Sequence, residues 1–200
     1  MTRTSVVYTV GHSTRPVEDF LALLRENGVR RLVDVRTVPK SRHNPQYHRD
    51  ALAPVLRAHG ITYRWVRELG GLRRARPDSP NAAWRNLSFR GYADHMQTPE
   101  FAAAVDDLVR RSTHDDLVIM CAEAVPWRCH RSLVGDALVV RGVEVRDIVS
   151  AARPRRHTLT SFARVEGTRV WYPPTTDDPA HDADGAPAPP PSPGTARSSR

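Results

Sequence analysis

Short apolar runs alternate along the chain with longer stretches whose apolar positions recur at helical spacing. Val6–Val10 is a run that stops at Gly11, which predicts a buried strand. Ser13, Thr14 and Pro16 then mark a helix start. Val17, Phe20, Leu21 and Leu24 form its apolar stripe, and Gly28 ends it. Leu32–Val35 predicts a second strand. Asp50–His59 predicts a helix stopped by Gly60, and Ile61–Val66 a third strand. Residues 67–86, rich in Gly, Pro and Arg, read as a long loop. Thr98-Pro99-Glu100 opens another helix, with Phe101, Val105, Leu108 and Val109 on its buried side. Leu117–Cys121 is the most apolar strand. Cys129–Val140 reads as a helix ended by Gly142, and Val143–Ile148 as a fifth strand. Strands alternating with helices predict one α/β domain with a mainly parallel sheet of about five strands, covered by helices on both faces. Phe162–Tyr172 predicts a C-terminal hairpin turning at Glu166-Gly167.

The pattern stops near Pro173. Residues 174–200 hold Ala-Pro-Ala-Pro-Pro-Pro-Ser-Pro and no large apolar side chain. Such a segment buries too little surface to offset its ordering entropy, so a disordered tail at 174–200 is expected after a domain at 1–173. Apolar runs such as Leu117–Ala122 fall far short of the roughly 20 residues that cross a bilayer. Met1–Ser5 has no long apolar region, which argues against a signal peptide. Two cysteines make no disulfide scaffold. These features predict a cytoplasmic protein with reduced thiols and no membrane partner.

Charge adds a second possible partner. The 30 Lys and Arg outnumber 22 acidic residues, giving a net charge of +8. Lys40 is the only lysine, so the positive charge is arginine. Arginine suits phosphate and carboxylate, which allows a nucleic-acid surface. Arginine with alanine and proline is also what GC-rich coding produces.

In open parallel sheets, ligands gather beyond the carboxyl ends of the strands. There this sequence places Gly11-His12-Ser13, then Asp34-Val35-Arg36 running to Ser41, then Glu68-Leu69-Gly70-Gly71, and finally Cys121-Ala122-Glu123 followed by Cys129-His130-Arg131. Cys121, between a strand and a helix start, is the candidate nucleophile, because helix amides and arginine stabilise a thiolate. Rhodaneses and cysteine phosphatases use a cysteine, a five-residue loop and an arginine. Here six residues separate Cys121 from Arg128, none is glycine, and Glu123 would repel an anion. His12 and Glu123 are the candidate acid-base groups. Asp34, inside an apolar run, needs a partner, and Arg36 points to the same side two residues on. Arg36 and Arg131 are candidate anion clamps. Ser13, Ser41, Glu68, Tyr92, Cys129 and His130 complete the candidate ligand-binding set. Gly70 and Gly71 supply either a turn with positive φ or a close backbone approach to a ligand. Cys129 and His130 are adjacent and the spacing is no zinc signature, so no metal site is expected. Nothing in the sequence names a cofactor.

The strand-end motifs, with Thr9-Val10 before Gly11, Met120 before Cys121, and Phe89-Arg90-Gly91-Tyr92-Ala93-Asp94 besides, resemble the family catalogued as domain of unknown function 488. The resemblance spans about Tyr8 to Ile148 and extends to Phe162–Pro173. It implies a single α/β domain and no established activity, so the chemistry rests on the site. The leading expectation is an enzyme with a strand-end pocket for a small or nucleotide-like anionic ligand, using a cysteine nucleophile. The alternative is a non-catalytic nucleic-acid-binding protein with an arginine-rich surface.

Overall fold

The computed structural model describes residues 6–174. Five parallel strands form the sheet: β1 (Val6–Gly11), β2 (Arg31–Asp34), β3 (Thr62–Trp65), β4 (Leu117–Cys121) and β5 (Glu144–Ile148). A short sixth strand, β6 (Arg155–Arg156), joins β5 antiparallel at the edge. The order is β3-β2-β4-β1-β5-β6. Every residue of β4 is buried, as expected for a central strand flanked by neighbours and covered on both faces.

Helices cover the two faces. On one side α1 (Val17–Glu26) and α2 (Arg49–Ala58) pack Phe20, Leu21, Leu24, Leu52 and Leu56 against Val10, Leu32, Val118 and Met120. Gly28 ends α1 with φ +66, a conformation that costs glycine little. On the other side lie α3 (Leu87–His95), α4 (Pro99–Ser112) and α5 (Arg131–Val139). Their buried residues, among them Tyr92, Phe101, Val105, Leu108, Leu133 and Val134, meet Val7, Val33, Ile119 and Val145. Asn86 caps α3 by accepting from the Ser88 and Phe89 N–H groups. Thr98 caps α4 by accepting from Phe101 N–H, with Pro99 opening the helix.

The hairpin β7 (Arg164–Glu166) and β8 (Arg169–Trp171) follows the main sheet. Its turn is Gly167-Thr168, one residue later than expected, with Gly167 at φ +58. Behind it Tyr172 is buried, and its hydroxyl donates to Asp136 Oδ2 at 2.8 Å.

Two expectations are corrected. The segment from 67 to 86 runs directly into α3, a helix the hydrophobic pattern did not reveal. The last main helix starts at Arg131, not Cys129. The expected disordered tail, apart from Pro174, lies outside the described residues. Among those residues no helix is long and apolar enough to cross a membrane.

Candidate active site

The chain order creates one crevice. After β2 the chain moves outward to β3, whereas after β4 it crosses β1 to reach β5. The segments leaving β2 and β4 therefore diverge, and a gap opens beyond their carboxyl ends. A cavity of about 390 Å³ fills that gap. Six candidate residues line it: Arg36, Gly71, Cys121, Glu123, Cys129 and His130. Sequence reasoning missed Thr37, Val38, Lys40, Leu72, Ser88, Phe89 and Arg128, which complete most of the wall. The available signals were the lone lysine, Arg128 seven positions after Cys121, and Phe89 in the family motif. Val38 and Leu72 are 55% and 78% exposed, an apolar lip around a polar floor.

The floor is a sulfur and imidazole cluster. One ligand atom each from Cys121, Cys129 and His130 all lie within 4.8 Å of one another. His130 Nε2–H donates to Val35 O at 3.0 Å, which leaves Nδ1 as a lone pair 3.7 Å from Cys129 Sγ. Cys129 is extended (φ −135, ψ 141) and His130 turns into helical geometry (φ −54, ψ −18). That bend brings two adjacent side chains together, which removes the objection that neighbours in sequence cannot serve one centre.

The two thiols differ. The neighbouring Cys129 sulfur and burial push the Cys121 thiol far above the ordinary range. Burial also pushes Cys129 up. The hydrogen bond from Cys121, the charge of Arg131 and the Arg131 backbone N–H outweigh it, bringing Cys129 down to about 7. Of the two, Cys129 is the one whose surroundings favour a thiolate. Sequence reasoning favours Cys121 as the nucleophile, whereas these surroundings favour a thiolate at Cys129. Cys121 ends β4, ten residues before α5, whereas Cys129 sits just ahead of that helix and receives its first amide.

The remaining candidates support the floor from below or behind. Asp34 is fully buried. It accepts from Arg36 backbone N–H at 3.0 Å, from Arg36 Nη2 at 2.6 Å, and from the Tyr63 hydroxyl at 2.6 Å. Arg36 also donates to Tyr47 O and through Nη1 to His12 Nε2 at 3.3 Å. Burial opposes the charge of Arg36, but the bonds to Asp34 prevail and raise its pKa. Arg36 therefore lines the cavity with its guanidinium already engaged.

His12 does not reach the cavity. Its Nδ1–H donates to Ser13 O at 2.8 Å, its ring stacks on Tyr47 at 4.1 Å, and its Nε2 faces Arg36. Burial lowers its pKa to about 4, and the Arg36 charge adds to this against the Ser13 bond, so it is a neutral support. Ser13 holds φ 50, and its N–H donates to Ala122 O at 2.9 Å. Arg131 is fully buried and ties the loop after β4 by donating to Glu123 O at 2.5 Å and Ala124 O at 2.9 Å. It braces the wall and does not line the cavity.

Glu68 is exposed, and its carbonyl, not its carboxylate, accepts from His95. Ser41 orders its own loop by accepting from Asn44 N–H and His48 Nε2–H. Tyr92 is buried 4.9 Å from the His130 ring and donates to Leu69 O. Neither Gly70 nor Gly71 has positive φ. A Cβ on Gly70 would meet Thr37 Oγ1 at 2.7 Å, and one on Gly71 would meet His130 Nδ1 at 2.3 Å. The glycines are there for close approach.

Residues 16–138 match the family described as Domain of unknown function DUF488. The chain belongs to the DUF488 family. The matched span runs from the residue before α1 nearly to the end of α5, so in this DUF488 chain it carries the whole cluster. No curated protein and no solved structure matches the chain.

Proposed function

We propose that the protein is an enzyme acting on a small or nucleotide-like anionic ligand in the crevice between β2 and β4, with Cys129 as its reactive thiolate. The observation that carries this reading is the placement of Cys121, Cys129 and His130 on the floor of a cavity whose rim holds Lys40 and Arg128. His130 Nδ1 is positioned to exchange a proton with Cys129, and the Cys121 thiol lies close enough to steady the thiolate. Lys40 and Arg128, both exposed, replace Arg36 and Arg131 as the groups free to meet an anion. Glu123 caps its own loop by accepting from Ala124 N–H at 2.9 Å while its side chain stands at the cavity edge, where it favours a ligand that is not anionic throughout. The apolar lip of Val38 and Leu72, with half-buried Phe89, suits a ligand with a flat or apolar part beside its anionic group.

The alternative, nucleic-acid binding through an arginine-rich surface, has less behind it, because some of those arginines are partly offset by carboxylates. Arg64, Arg110 and Arg111 gather around Asp107, Arg76 pairs with Asp78, and Arg141 with Asp106.

Iodoacetamide labelling of the full chain at neutral pH with a chelator present, followed by peptide mapping, tests the reading. Cys129 should label at least about 10-fold faster than Cys121. Inorganic phosphate or a nucleoside monophosphate should protect it. Faster labelling of Cys121, or no protection by either anion, refutes the assignment.

A further inference from the structure

The geometry points to a further property of this cluster: we propose that Cys121, Cys129 and His130 hold a zinc-type divalent ion, with a fourth coordination position open to the cavity. The proposal rests on the reading of this crevice as an enzyme site, and it makes the Cys129 thiolate a metal ligand.

Zinc bonds of about 2.3 Å to sulfur and about 2.0 Å to nitrogen put neighbouring ligand atoms roughly 3.5–3.8 Å apart. Cys129 Sγ and His130 Nδ1 already stand at 3.7 Å. The full set lies within 4.8 Å, so closure needs a movement of roughly 1 Å. Two thiolates and one imidazole select a borderline-soft ion over magnesium or calcium.

Two features beyond the triad fit this assignment. Metal-bound histidines characteristically donate their second ring N–H to a carbonyl or carboxylate, which fixes the tautomer. His130 does so to Val35 O at 3.0 Å. The second feature is Gly71. A Cβ there would lie 2.3 Å from Nδ1 and 2.7 Å from both Cε1 and Cγ. Those near-equal distances place it over the flat face of the ring, not in line with the lone pair. Gly71 thus packs the ring from its face and leaves the Nδ1 direction clear.

Three protein ligands with one open position define a catalytic zinc site, not a structural one. Coordination displaces the proton of Cys121, and that of Cys129 where present, to solvent. Two thiolates neutralise the ion, and the anionic ligand is then met by Lys40 and Arg128.

Titrating the chelator-stripped full chain with Co²⁺ tests this. One ion should bind per chain with the sulfur-to-cobalt charge-transfer and visible bands of a tetrahedral thiolate site, and one equivalent of Zn²⁺ should remove them. C121S, C129S and H130A should each weaken Co²⁺ binding by at least about 100-fold. Circular dichroism checks that they fold. Should they not fold, the wild-type chain still decides, because Zn²⁺ must then slow iodoacetamide at both cysteines. A folded chain with two titratable thiols and no cobalt-thiolate spectrum overturns the proposal, as does an unchanged spectrum in C129S. If the ion fails to bind but phosphate or the nucleotide still protects Cys129 in chelator, the metal assignment falls and the anion-binding enzyme reading stands. If Co²⁺ binds but neither anion protects, the metal site stands and the anion-binding reading falls.

Discussion

At the scale of single residues, the site depends on side chains that are missing. A Cβ on Gly11 would come within 1.8 Å of the Glu123 carbonyl oxygen, which belongs to the backbone and cannot swing aside. The Gly71 clash is with an imidazole ring, which can move only by giving up its bond to Val35 O. Gly142 has φ +78 but nothing within 4 Å. The three therefore rank by cause. Gly142→Ala should cost about 1–2 kcal/mol of backbone strain. Gly71→Ala should cost about 1–3 kcal/mol through overpacking and also displace His130. Gly11→Ala should cost more than either, to the point of poor folding. Thermal melts of the three variants check the order, and a Gly71→Ala chain with unchanged Tm and unchanged Cys129 labelling would contradict the account of the ring. The motif Gly70-Gly71 was visible in the sequence, but its reason was not. Close approach depends on what packs opposite, and Thr37 and His130 lie far away along the chain. The cysteine order was hidden for a similar cause, because it turns on where α5 begins.

Among the elements, strands were the more legible. Leu117–Cys121 is as expected, because an uninterrupted apolar run marks a strand buried on both faces, and the other four parallel strands fall within a residue or two. α3 escaped because its buried residues include Gly91, Ala93 and Asp94, which carry little hydrophobic signal. β6 escaped because it has two exposed arginines and exists only through its pairing with β5. The pocket was legible as a strand-end region, but not which strands form it, since sheet order is not written in local pattern.

One clamp between elements gives a pH prediction. His157, after β6, meets Asp136 of α5 at 2.9 Å and Asp147 of β5 at 3.4 Å. Burial pulls its pKa down, but the two carboxylates prevail and raise it to about 9. A folded value above the ordinary 6.5 means that the folded state holds the proton more tightly. The stabilisation is complete below about pH 6.5 and is lost as pH climbs through about 9, on the order of 3 kcal/mol in all. Tm should fall over that interval in the native chain. His157→Gln should be less stable at pH 6.5 and show a flatter profile. A parallel fall in both chains would remove His157 as the cause.

For the whole molecule, the domain boundary near residue 173 is a proposal from composition. Truncation after Pro173 should leave Tm within about a degree, since the removed sequence has no core-forming side chain. A loss of several degrees would mean that the tail docks.

The position of β4 bears on how the chain reaches this fold during synthesis. β1 and β2 do not pair with each other. Both are registered on β4, with Val7 and Arg31 each opposite Leu117. A nascent chain that has emerged only as far as α4 therefore owns two strands with no shared edge. The parallel sheet cannot be completed until residues 117–121 arrive and insert between them. Cys121 is the last residue of that strand, so the strand that joins β1 to β2 also carries the first sulfur to the crevice.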